Sequence, residues 1–381
     1  MDAGGRKVSQ TCKQHPPNLP TKDLTPRNLW RNFEFSVVDP KKQIPIINTS
    51  SGGTALQNGY PTILNYRAVP GWLMPNDGPL GHTNGSIAVS ANGEVYVTHR
   101  LPMAGIAVYA PDGTCLRNVP NAPRNLHKIF IRTEPEGEVL YGVRGGGAGD
   151  TGTYSGGVAT GPIIVKMTLE GEVLLSISAS AIPDQFKDTE FNKDEDGTLI
   201  VRMSGLAVAP NGDLYASDGY ASDYIHRFDR TGKYLASFGG KKTPYSFNRL
   251  HNLAIDTRFT PLRIIATDQR NNRLVHWSLD GEFLGVFASD LRTPKDVAIY
   301  DDYIVVAEAK GRMAVLDKAG KIVTTFGTNT AEEETGTPNT PPAKWRPGIV
   351  TTPHGVAVNA HGDVFVHEWN FFGRVLRFNR Q

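Results

Sequence analysis

The segment "PHGVAVNAHGDVFVHEW" (residues 353–369) places two apolar runs, "GVAV" and "DVFV", on either side of a polar turn cluster. Short apolar runs bounded by Asn, His and Gly read as strands joined by a tight turn. The pattern recurs in "NGSIAVSANGEVYVTHR" (84–100), "LHKIFIRTEPEGEVLYGV" (126–143) and "SGLAVAPNGDLYASDGY" (204–220). It returns in "LHNLAIDTRFTPLRIIATDQ" (250–269) and "PKDVAIYDDYIVVAEA" (294–309). Most copies run on into a second hairpin, such as "IHRFDRTGKYLASFG" or "LVHWSLDGEFLGVF". Each unit therefore holds up to four short antiparallel strands. No long segment has helical period. Four-stranded repeats of roughly 40–45 residues point to a β-propeller.

Six such units make an all-β, six-bladed β-propeller the expected fold. The last unit stops after three strands at "RVLRFNRQ". Its outer strand must come from the N-terminal side, from "FEFSVV" (33–38) or "TILNYRAV" (62–69), and that strand closes the ring. The expected organisation is an N-terminal arm over residues 1–30, a candidate for disorder, and one propeller domain over 31–381. Three long insertions, 144–161, 182–197 and 327–348, read as surface loops, either covers for a channel mouth or disordered decoration.

Bulk properties narrow the partners. A net charge of +2 over 381 residues gives no polyelectrolyte signal for nucleic acid or for a membrane surface. No apolar run approaches the roughly 20 residues of a spanning helix, and the N-terminus lacks the apolar core of a secretory signal. Cys12 and Cys115 make no disulfide framework. The expectation is a reduced, cytoplasmic protein that acts on a small molecule, with a processed secreted form as the alternative.

In a propeller, the innermost strand of each blade begins beside the central channel. The position two residues before each first apolar trio reads Gly85, His127, Ser204, His251, Lys295, His354. Histidine thus falls on alternate blades, two, four and six. Three imidazoles about 120° apart would converge on the axis as a three-nitrogen metal cage with one side open. Zinc suits that donor set, and other divalent transition metals also use it. Lys295 lies in the same column and would bind an anionic substrate, or else simply face solvent. His361 sits in a hairpin turn and should be exposed. His367 reads as structural or supporting, and His226 and His276, on third strands, as core or surface residues.

These residues resemble a known family. The repeats look like NHL repeats. "LHKI", "LHNLA" and "PHGVA" resemble the zinc-binding histidine motifs of peptidyl-α-hydroxyglycine α-amidating lyase. "ASDGYASDYIHRF" (216–228) resembles that family's "SDGY" stretch, which implies that Tyr220 is a catalytic base. "SIAVSANGEVYVTHR" (86–100) matches its first-blade stretch and puts the active-site arginine at Arg100. The resemblance covers about residues 80–381 and lies in motif spacing rather than overall sequence. Departures are specific. The family's methionine before the last histidine is Thr352 here, and its calcium-binding aspartate is Gly355. A structural Ca2+ would then rest on the Ile87 and Ile129 carbonyls without a carboxylate. An arginine of the fourth blade is replaced by Gln269. Lys295, Gln269 and Thr352 therefore line the expected substrate side, and the substrate need not be a peptide.

The resemblance implies a metal-dependent lyase that splits a carbinolamide or hemiaminal-type carbon, with Tyr220 taking the hydroxyl proton and Arg100 holding a carboxylate or developing charge. Asp218 and Asp268 share one blade position, which favours turn capping. Two other readings stand beside it. One is another metal-dependent propeller enzyme, a hydrolase, lactonase or C–O lyase, although propeller lactonases usually present Glu, Asn and Asp in the channel. The other is a non-catalytic NHL scaffold.

Overall fold

The computed structural model describes residues 54–57, 60–73, 80–99, 105–145, 162–187, 199, 201–242 and 244–381. Six four-stranded antiparallel sheets follow one another along the chain, and a two-stranded hairpin, Thr54–Gln57 with Tyr60–Ile63, precedes them. This is the six-bladed propeller that the repeats predict. Blade one comprises Ile87–Val89, Val95–His99, Gly105–Tyr109 and Cys115–Asn118, in order from inside to outside. Blades two to five begin on their inner strands at Leu126, Gly205, Leu250 and Pro294.

Blade six combines the two ends of the described chain. Its inner three strands are Pro353–Val358, Val364–Glu368 and Val375–Arg380, and its outer strand is Tyr66–Ala68. Phe378, Asn379 and Arg380 pair with Ala68, Arg67 and Tyr66. The closing strand is thus within "TILNYRAV". The other candidate, 33–38, lies outside the described residues, as does the arm over 1–30.

Six buried apolar clusters hold the ring, one at each junction between neighbouring blades. Val95 and Val97 pack towards blade six, with Phe365 and Val375. Tyr96, between them in sequence, packs towards blade two, with Ile129 and Leu140. Alternation along the strand thus sends successive side chains into two different cores, and both faces of each blade are dry. The junction of blades three and four centres on Trp277, fully buried among Phe238, Tyr245, Phe247 and Phe283.

At or just after the end of the second strand in blades three to six, an acidic residue binds a basic residue in, or just before, the third strand. The pairs are Asp218–His226, Asp268–Arg273, Glu308–Arg312 and Glu368–Arg374. Asp218 also accepts the Tyr224 amide at 2.7 Å, and Asp268 the Asn248 amide at 3.0 Å. These carboxylates fix the corners, as their repeated position suggests. The loop over 327–348 is ordered around short turns at Glu332–Glu334 and Pro342–Lys344, and Arg346 binds both Asn329 and Glu334. Cys115 is disulfide-bonded, where the sequence reading expects reduced thiols; the chain's other cysteine, Cys12, lies outside the described residues.

Truncation of Trp277 removes the largest fully buried side chain among the described residues. Trp277→Ala should cost about 3–5 kcal/mol of unfolding free energy, read by denaturant titration. A cost under 1 kcal/mol would mean that this junction does not hold the ring.

Candidate metal centre

The cage residues owe their aim to backbone irregularities. In blades two, four, five and six the inner strand slips register at the column position, between Leu126 and Lys128, Leu250 and Asn252, Pro294 and Asp296, and Pro353 and Gly355. His127, His251, Lys295 and His354 are therefore the extra residues of β-bulges. A bulge re-aims a side chain that regular pairing would send into the sheet's own face pattern. It also turns two successive residues towards the axis instead of one.

The three histidines meet there. Their ring centroids are 4.9, 4.8 and 4.9 Å apart, a near-equilateral triangle. One nitrogen of each lies within 4.8 Å of the others. All three residues are at most 2% exposed. Each Nδ1 donates to a backbone carbonyl: His127 to Ser204 at 2.6 Å, His251 to Lys295 at 2.8 Å and His354 to Gly85 at 2.8 Å. A carbonyl only accepts, so each Nδ1 carries the proton and each Nε2 presents a lone pair to the centre. The acceptors are the remaining three members of the column, each on the next blade round.

Tyr220 reaches the same point from blade three. Its hydroxyl is 2.9 Å from His127 Nε2 and 2.7 Å from His251 Nε2. The corner around Asp218 sets this reach. At Gly219 an added Cβ would lie 2.1 Å from the Leu250 carbonyl oxygen, so only glycine lets the chain pass. The Tyr220 hydroxyl has one proton to donate, and His354 Nε2 is buried with no hydrogen-bond partner among the described residues. Three lone pairs facing one another form a donor set that suits one divalent transition metal.

The surroundings are cationic. Lys295 is 5% exposed, with Nζ 5.7 Å above the Trp369 ring. Burial, then Arg249 and Arg270, brings its pKa down to about 7. The Arg249 guanidinium lies 5.2 Å from the Tyr220 ring centre. Burial, followed by the Lys295 charge, holds His251 and His354 well below the ordinary histidine range. Gln269 is 5% exposed, and its Oε1 has no hydrogen-bond partner among the described residues. Thr352 is different: its hydroxyl donates to the Thr337 carbonyl at 2.8 Å and accepts the Thr337 amide at 3.1 Å, which ties the preceding loop to blade six. Arg100 lies outside the described residues.

Of the other histidines, His361 is exposed. His226 and His276 are buried against Asp218 and Asp256. His367 is fully buried, with Nε2 3.0 Å from the Thr98 carbonyl. Burial lowers His99 to about 4 and His367 to about 3.

One layer is absent from the sequence reading. The residues just after the column include Lys128, Asn252 and Asp296, and these form a buried network on the axis. Its signal was present as two opposite charges beside the histidine column. At Gly355, the same position in blade six, a Cβ would lie 2.9 Å from Ser86 Cα, so no carboxylate fits there without the blades moving apart.

No family model matches the chain, and no curated protein matches it in sequence. Solved structures do share the fold. A protein of unknown function from Bacteroides thetaiotaomicron matches with a TM-score of 0.54 at 13% identity, over 89% of this chain and 83% of that one. A gluconolactonase from Xanthomonas campestris matches with a TM-score of 0.51 at 12% identity, over 80% and 88%. A streptogramin B lyase matches with a TM-score of 0.47 at 14% identity, over 84% and 97%. The two likenesses with TM-scores above 0.5 show a shared fold, and the six four-stranded sheets give the propeller architecture.

The buried neutral histidines link stability to pH. Unfolding raises their pKa towards the ordinary value near 6.5, so the unfolded chain binds more protons below that pH. Stability should fall as pH drops from about 6.5 towards 4, by up to about 1.4 kcal/mol per pH unit for each ring. Chemical denaturation of His99→Gln/His367→Gln, compared with the parent, should show a shallower fall over that range. Equal slopes would mean that these rings are protonated in the fold.

Proposed function

We propose that the protein is a metal-dependent lyase acting on a carbinolamide or related hemiaminal carbon. The observation that carries this reading is the convergence of three Nε2 lone pairs, each fixed by an Nδ1–H bond to the next blade. His127, His251 and His354 would hold zinc, or another divalent transition metal of similar preference. When bound, the metal supplies a Lewis acid that makes a substrate hydroxyl more acidic.

The protein's own residues account for the rest. Tyr220, as phenolate, takes the hydroxyl proton of N–CH(OH)–R. The O–H pair becomes the carbonyl π bond, the C–N bond breaks, and its electron pair stays on nitrogen. Tyr220 then returns the proton to that nitrogen. The products are an N–H amide and an aldehyde, with atoms and charge balanced. Lys295 and Arg249 favour a substrate that carries an anionic group, and Gln269 offers a buried acceptor for a substrate N–H or O–H. Arg100 belongs to the proposal as a second anion-binding group.

The reading uses one metal ion. A structural calcium of the kind the resemblance implies would lack its carboxylate at Gly355.

Elemental mass spectrometry of the purified protein should find about one transition-metal ion per chain, lost in His251→Ala. A chain that takes up no metal even with added zinc would end the lyase reading. With a hydroxyglycine-type carbinolamide as probe, Tyr220→Phe should keep the metal and lower kcat by about 10²–10⁴. A variant at full rate would remove tyrosine from the chemistry.

A further inference from the structure

The network one residue beyond the histidine column has a geometry that regular packing does not require. The Asp296 carboxylate is fully buried. Its Oδ1 accepts Lys128 Nζ at 2.8 Å, Asn252 Nδ2 at 2.6 Å and the Val297 amide at 2.8 Å. Its Oδ2 accepts Lys128 Nζ at 2.7 Å and the Val356 amide at 3.0 Å.

The origins of these donors matter more than their number. Lys128 follows His127 on blade two. Asn252 follows His251 on blade four. Val356 stands two residues after His354 on blade six. One carboxylate on blade five thus draws a hydrogen bond from each of the three histidine-bearing inner strands, within two residues of each histidine. Asp296 itself follows Lys295, whose carbonyl receives the His251 Nδ1 proton at 2.8 Å. Lys128 is the cation of the network and is tethered to the chain.

We propose that Asp296 is a positioning residue for the histidine cage. It ties blades two, four and six to one point beneath the imidazoles and so fixes the separation of their Nε2 atoms. Lys128 supplies, from within the chain, the positive charge that compensates the buried carboxylate. Positioning groups behind metal ligands typically change metal affinity by about 10–100-fold when removed. The part of the proposal that concerns metal rests on the reading above, and the part that concerns the imidazoles does not.

The test uses the full chain labelled with 15N-histidine. In the parent, the Nδ1–H protons of His127, His251 and His354 should give slowly exchanging NMR signals. In Asp296→Asn those three signals should exchange with solvent at least about tenfold faster, in metal-free protein well below its melting temperature. Zinc affinity, measured by competition with a chromophoric chelator, should fall at least about tenfold in the same variant. If Asp296→Asn does not fold, Asn252→Ala removes a single tie. It should speed exchange at His251 while His127 and His354 keep their parental rates. Parental exchange of all three signals in folded Asp296→Asn, or of His251 in Asn252→Ala, would overturn the proposal. If the parent binds no zinc and the signals still respond as expected, the positioning role stands and the metal reading falls.

Discussion

The hydrogen bond from each cage histidine to the backbone of the following blade is the constraint on which the site depends. It runs from Nδ1–H to the Ser204, Lys295 and Gly85 carbonyls at 2.6–2.8 Å. A side chain that donates to a main-chain acceptor on a neighbouring sheet is fixed only when both sheets are fixed. Ring closure through Tyr66–Ala68 therefore belongs to the site as much as the imidazoles do, because an open ring would let the acceptors drift. The same bonds settle the tautomer of each ring and leave three basic nitrogens in a space from which water is largely excluded. Lone pairs so placed are costly unless a proton or a cation shares them, and the Tyr220 hydroxyl stands 2.9 and 2.7 Å from two of them.

The blade junctions explain how so polar a channel is tolerated. Six separate apolar clusters, each shared by two blades, bury both faces of every sheet. The hydrophobic driving force is thus distributed around the ring. The channel, with its histidines, Lys295 and the Lys128–Asp296 pair, is free to be polar. Removing one member of such a buried pair would leave an uncompensated charge, which makes the axial layer unforgiving of single changes.

Much of this was legible in the sequence. The alternation of apolar runs and Asn-Gly or Asp-Gly turns identified the blades, because strand period and turn chemistry are local properties. The missing fourth strand of blade six pointed to the closing segment by subtraction. The histidine column emerged once the six repeats were aligned. The bulges were not visible, since slipped register depends on hydrogen bonds across strands. Without them a reader expects only one residue per blade to face the axis, and so Lys128, Asn252 and Asp296 escape notice. Thr352 shows the opposite limit: its place beside His354 suggests the substrate, whereas its hydroxyl is engaged by Thr337, a partner supplied by a loop fold that composition does not reveal. Arg100 stays a matter of resemblance.

The column alternates donor and acceptor around the ring: histidines on blades two, four and six give protons to the backbone of blades three, five and one. Such an alternation closes only on an even count. A propeller that gained or lost one blade would set two donors or two acceptors side by side at the seam. Evolutionary growth or shrinkage of this architecture while keeping the site would have to proceed by pairs of blades. The functional repeat is in that sense a two-blade unit present three times, although the sequence repeat is a single blade.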